Sequence, residues 1–124
     1  GWTPRKIAEE AKKSLGLAMV RVAGDPNRVC RRVSTLFGAW GGRTQMADLR
    51  RDDVDALVCG ESPEWETCEY VRDACAQGRK KALIVLGHAP SEESGMEYFA
   101  RWLAPRITPI PVHFVPAGNP FQVF

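Results

Sequence analysis

Leu83-Ile84-Val85-Leu86 is an unbroken apolar run, with Lys80-Lys81 before it and Gly87-His88-Ala89-Pro90-Ser91-Glu92 after it. A short run of this kind, bounded by charge and glycine, suits a strand buried on both faces better than one face of a surface helix. The strand is expected to stop at Gly87, because Pro90 lacks a backbone donor and restricts Ala89 before it. A helix is predicted beyond, with Ser94 as N-cap and Glu97 three residues on, the spacing of a capping box. Met96, Phe99 and Leu103 then recur at helical intervals. His88 and Glu92 therefore leave the carboxyl end of a buried strand, the edge at which α/β sheets hold their ligands. They are the first candidates for chemistry.

The rest of the chain repeats this alternation of strand and helix. Thr3 and Pro4 open a helix whose apolar stripe is Ile7, Ala8, Ala11 and Leu15, and Gly16 closes it. A short strand is predicted over residues 17–22, stopped by the turn formers Gly24-Asp25-Pro26-Asn27. A second covers residues 31–37 and runs into Gly38-Ala39-Trp40-Gly41-Gly42, followed by a short helix through Met46 and Leu49. Ala56-Leu57-Val58-Cys59 is another buried strand, ending at Gly60-Glu61. Ser62 and Pro63 then start a helix expected to turn Trp65, Cys68, Val71 and Cys75 inward, with Gly78 at its end. A last strand over residues 112–115 lies between Pro109, Pro111 and Pro116, which places it at a sheet edge. The fold class this implies is α/β: one domain over residues 1–124, with helices packed on a layered, mostly parallel sheet.

With 124 residues, 44% of them hydrophobic and 26% charged, the chain has enough apolar surface for one modest core. Its net charge of +2 gives no strong nucleic-acid signal. No apolar run approaches the roughly 20 residues of a membrane span, and no signal-peptide pattern opens the chain, so a cytoplasmic protein is expected. The first residue is glycine rather than methionine, and the chain reads as a piece of something longer. Cys30, Cys59, Cys68 and Cys75 show no C-x-x-C spacing and read as reduced core residues rather than zinc ligands or disulfides.

Three strand ends would converge on one edge of such a sheet, bringing the 38–42 loop, Gly60-Glu61 and the 88–92 segment together. Exposed amides at Gly41 and Gly42 could cradle an anion, although a tight turn that needs glycine explains the loop equally well. His88 and Glu92 suit a divalent cation, since imidazole and carboxylate together are acceptable to zinc, manganese or iron. A histidine alone at a strand end is more often a hydrogen-bonded structural residue. Location is what favours the metal reading.

A resemblance sharpens it. The segment from Thr3 to Asn119 resembles the C-terminal half of the Nif-three-like family, dinuclear metal proteins often labelled GTP cyclohydrolase I type 2. Four features carry the likeness: the opening helix and strand through Gly24-Asp25-Pro26 and Arg31-Arg32-Val33; the 38–42 glycine loop; Ala56-Leu57-Val58-Cys59-Gly60-Glu61; and Gly87-His88-Ala89-Pro90-Ser91-Glu92 with a helix ending in Trp102-Leu103. The resemblance implies that His88 and Glu92 are metal ligands. It also implies two divalent ions per site in the longer protein, with a His-His pair and an aspartate supplied by an N-terminal half absent here. Trp65 stands where the family usually has a histidine after its Gly-Glu turn.

The function this implies is a metal-binding domain, part of a metal-dependent hydrolase acting on a nucleotide or phosphoester. Glu61 would be a supporting or substrate-facing carboxylate. A non-catalytic, metal-bound scaffold or regulatory interaction module is the alternative, because family members are described in both ways. A nucleotide-binding domain that uses the glycine loop without metal is a third. The expected partners are the N-terminal half of the same protein, further copies in a homo-oligomer, and a small phosphorylated or nucleotide ligand, with no membrane.

Overall fold

A computed structural model describes all residues, 1–124. Helix α1 (Pro4–Leu15) leads to β1 (Arg21–Gly24) and β2 (Val33–Leu36), then α2 (Gly42–Arg50) and β3 (Ala56–Cys59). A π-helical turn (Glu64–Cys68) runs into α3 (Glu69–Ala76), followed by β4 (Ala82–Val85), α4 (His88–Leu103) and a 3-10 turn (Ala104–Arg106). The sheet order is β1-β4-β3-β2. β2, β3 and β4 are parallel, and β1 adds antiparallel to the free side of β4.

The two central strands are buried on both faces, as continuous apolar runs require. Alternate residues divide between the faces. Ala56, Val58, Ala82 and Ile84 turn to one side, where Ile7, Ala8, Ala11 and Leu15 of α1 cover them. Leu57, Cys59, Leu83 and Val85 turn to the other, against Leu49 of α2 and Val71 of α3. Leu83 and Ile84 are fully buried, with Val85 and Leu86 close behind. All four cysteines are free thiols, and burial beside Cys68 pushes that of Cys59 up to about 12.

Helix α1 ends where its punctuation demands. The Thr3 hydroxyl accepts from the Lys6 N–H at 3.2 Å, and Gly16 takes a left-handed φ of 64° while its N–H reaches back to the Lys12 carbonyl.

Several local expectations are corrected. The edge positions belong to β1 and β2, not to residues 112–115, which form no ladder. Pro109, Pro111 and Pro116 bracket that segment, and it pairs with neither edge strand, β1 or β2. The first strand begins at Arg21 rather than 17, because Leu17 and Val20 pack on the sheet from the connecting loop. Trp65 is 79% exposed instead of inward. The π turn rephases the helix, so the buried stripe is Thr67, Val71 and Ala74, with Cys68 and Cys75 half-buried beside it. Helix α4 begins at His88, six residues before the expected cap at Ser94. Pro90 falls in its first turn, where the missing N–H has no intrahelical partner to lose.

At the amino end of the sheet, opposite the site, Asp55 ties β2 to β3. Its Oδ2 accepts from the Arg31 and Arg32 N–H groups at 2.7 and 3.1 Å. Burial pushes this carboxyl up, but the two N–H donors, with Arg28 and Lys81 nearby, outweigh it and hold it below the usual carboxylate range. A folded-state pKa below the unfolded one stabilises the protein above about pH 4, and that contribution disappears as pH falls through the folded value. Urea melts at pH 7 and pH 3 should therefore differ by roughly 1 kcal/mol more in the parent than in Asp55→Asn.

Candidate functional site

The parallel strands β2, β3 and β4 end side by side, and a chain of backbone hydrogen bonds continues beyond the ladder. Leu86 N–H donates to Cys59 O at 3.0 Å, Gly87 N–H to Gly60 O at 2.7 Å, and Glu61 N–H to Gly38 O at 3.0 Å. Gly60 has no room for a side chain, since a Cβ there would lie 2.4 Å from Gly38 O and 2.6 Å from Ser91 Oγ. That closeness brings the residues after each strand to one edge.

Two polar side chains fasten the edge. Ser91, in the first turn of α4, accepts from the Gly38 N–H at 2.9 Å and donates to the His88 carbonyl at 2.7 Å. Gln45, fully buried in α2, donates to the Glu61 carbonyl at 2.7 Å and accepts from the Ser62 hydroxyl at 2.9 Å. Both were missed from sequence. Gln45 could have been found as the polar member of the inward stripe Gly42, Gln45, Leu49. Ser91→Ala would leave the buried Gly38 N–H unpaired, at a cost of about 1–3 kcal/mol. Chemical denaturation should register that loss, and the Gly38 amide should exchange faster.

On this frame His88 and Glu92 sit one turn apart on α4, not across a loop. His88 Nε2 lies 3.2 Å from Glu92 Oε2, and its Nδ1 lies 3.5 Å from Glu61 Oε2. All three side chains are about half exposed. Gly38, at φ 74°, leaves space for Glu92, because a Cβ there would come within 2.6 Å of Glu92 Oε1. The imidazole thus stands between two carboxylates, each facing a different ring nitrogen.

The pair His88–Glu92 fits a divalent cation. With ligand bonds of about 2.1 Å, a 3.2 Å separation subtends about 100° at the ion, acceptable in tetrahedral or octahedral coordination. Glu61 faces the other nitrogen, so the three do not converge on one point. No group of three His, Cys, Asp or Glu side chains in this chain is placed to hold an ion.

Gly41 and Gly42 lie at the start of α2, apart from the imidazole. Gly41 is exposed and open, whereas a Cβ on Gly42 would meet the Glu66 carboxylate at 1.9 Å. A carboxylate of the chain itself therefore faces this helix N-terminus, where negative charge is favoured. His113 lies on the C-terminal segment, on the wall of a cavity that it shares with His88.

Comparison with known proteins bears on the fold. The chain shares its fold with crystal structures of Staphylococcus aureus protein SA1388, one at TM-score 0.71 and 22% identity, and of a Bacillus cereus protein related to NIF3 at TM-score 0.71 and 20% identity. Each covers 99% of this chain, whereas this chain spans only 39% and 33% of theirs. A search of curated proteins returns no match. The family model described as Duf34/NIF3 (NGG1p interacting factor 3) matches residues 2–120, and the chain belongs to that family.

Proposed function

We propose that this chain is a metal-bearing part of a NIF3-family protein, in which His88 and Glu92 are ligands to a divalent ion. The observation that carries the reading is the 3.2 Å approach of His88 Nε2 to Glu92 Oε2 at the carboxyl edge of the sheet. Zinc, manganese or iron suits this donor set. A longer protein would complete the shell for two ions with ligands from an N-terminal half, in keeping with the greater length of the structural relatives. Such an ion supplies Lewis acidity, polarising an ester oxygen and acidifying water.

The chain's own residues have separate tasks. Glu61, 3.5 Å from Nδ1 of His88, would hold that nitrogen and turn Nε2 towards the ion, as carboxylate partners of ligating histidines do. Ser91 and Gln45 fix the loops that carry them. The amides of Gly41 and Gly42 would receive an anionic substrate group if Glu66 moved aside. The reaction this supports is hydrolysis of a phosphoester or nucleotide.

An interaction role has its own support in α4. This helix buries only Ser91 and exposes Met96, Phe99 and Trp102 by 56%, 47% and 43%, a surface suited to the N-terminal half or to another copy in a homo-oligomer. No helix is long and apolar enough to cross a membrane. Assay of the longest natural form with zinc or manganese on a panel of phosphoesters and nucleotides separates the two roles. Turnover that is lost with chelator and in His88→Ala supports the hydrolase. Stoichiometric metal without turnover supports the scaffold.

A further inference from the structure

Beyond the strand ends, the edge opens into a cavity of about 1190 Å³ between α4 and the C-terminal segment. Met96, Phe99 and Leu103 line one wall, and Val112, Phe114 and Phe121 the other. The second wall is tied down, because the Gly118 N–H donates to Glu93 Oε1 at 2.7 Å. Small-molecule sites have this character: an apolar body of some 300–1,000 Å³ with a few polar groups gathered at one place. Here Glu61, His88 and Glu92 supply those groups.

The charges at the rim narrow the ligand further. Glu61, Glu92 and Glu93 line the cavity, and Arg21 is its only lysine or arginine. That guanidinium is already paired with Glu64. Beyond the ion at His88 and Glu92, a polyphosphate would meet the carboxylates of Glu61 and Glu93 and no free cation of the chain itself. An apolar or aromatic body would instead cover the exposed faces of Phe99 and Met96.

We infer that this cavity takes the apolar body of an amphipathic ligand whose small metal-chelating head lies at His88 and Glu92. The substrate class is then an alkyl or aryl monoester rather than a nucleoside triphosphate. This rests on the metal reading above.

Calorimetric titration of the 124-residue chain with octanohydroxamate and acetohydroxamate, with and without zinc, tests it. These probes share a chelating head and differ by six methylenes. With zinc, the octyl probe should bind at least ~100-fold more tightly, the scale set by burying those methylenes. Phe99→Asp, at an exposed position, should remove that preference and leave the zinc dependence intact. His88→Ala should remove the zinc dependence and keep the chain-length preference. In the zinc-free titration, where chelation of the metal plays no part, ATP should not displace the octyl probe.

Equal affinity for the two hydroxamates would overturn the inference, marking the cavity as a seam for another polypeptide and leaving the metal reading standing. A chain-length preference indifferent to saturating zinc in the parent would overturn the anchored head, while the metal reading answers to the direct zinc titration of His88. Displacement by ATP in the absence of zinc would overturn the proposed substrate class.

Discussion

Leu83→Asp should leave no cooperatively folded protein. Leu83 is fully buried at the middle of β4, paired in register with Leu57 and packed with Leu49 and Val71. Removing a buried leucine costs about 2–5 kcal/mol through lost burial and the cavity left behind. The aspartate adds the desolvation of a carboxylate with no partner, several kcal/mol more. Their sum is comparable to the whole stability of a domain, roughly 5–15 kcal/mol. Near-ultraviolet circular dichroism and a thermal melt should show lost tertiary signal and no sharp transition. Leu83→Met, which keeps the volume, should melt cooperatively within about 1.5 kcal/mol of the parent. A cooperative melt for the aspartate variant near the parent temperature would mean that β4 is not the centre of the sheet.

Gly60→Ala should have the second-largest effect, from the addition of one carbon. That atom would lie 2.4 and 2.5 Å from the backbone O and N of Gly38, and neither can retreat without parting β3 from β2. Overpacking of this kind costs about 1–3 kcal/mol, or more where backbone must move. The Glu61 N–H bond to Gly38 would lengthen, and Glu61 would shift relative to His88. A drop in Tm of roughly 4–10 °C is expected, with faster exchange at the Gly38 and Glu61 amides. Gly41→Ala provides the contrast, since a Cβ there meets nothing within 4 Å. Its stability should change by no more than about 0.5 kcal/mol.

These two positions differ in how readily the sequence reveals them. The 83–86 run is legible because a strand covered on both faces must be apolar at every position, whatever lies around it. Thr3 and Gly16 are legible for a similarly local reason, since capping chemistry acts within one turn. The demand on Gly60 is not local. It arises because Gly38 and Ser91, distant in sequence, close over it.

The misread elements depend on context in the same way. Trp65 is displaced by a π turn that no periodicity marks. Residues 112–115 alternate like a strand, but alternation alone does not bring a segment alongside an edge strand. Pro90 looks like a barrier to helix, and it is harmless only because it falls in the first turn. The pairing of His88 with Glu92 tolerates that misreading, because residues four apart meet on a helix face. The approach of Glu61 follows from the sheet alone, since parallel strands β3 and β4 must end on the same edge.

The chain has only two histidines, His88 and His113, which makes a metal site at the first directly observable. Zinc titrated into uniformly 15N-labelled protein, followed through the imidazole nitrogen resonances, tests the central claim. Two protein ligands leave most of the coordination shell to water, so binding on the order of 0.1 mM or weaker is expected. The account predicts that zinc moves Nε2 of His88, leaves His113 in place, and loses most of its effect in Glu92→Gln. A His88 resonance unmoved at millimolar zinc, or a zinc response that Glu92→Gln leaves unchanged, would contradict it.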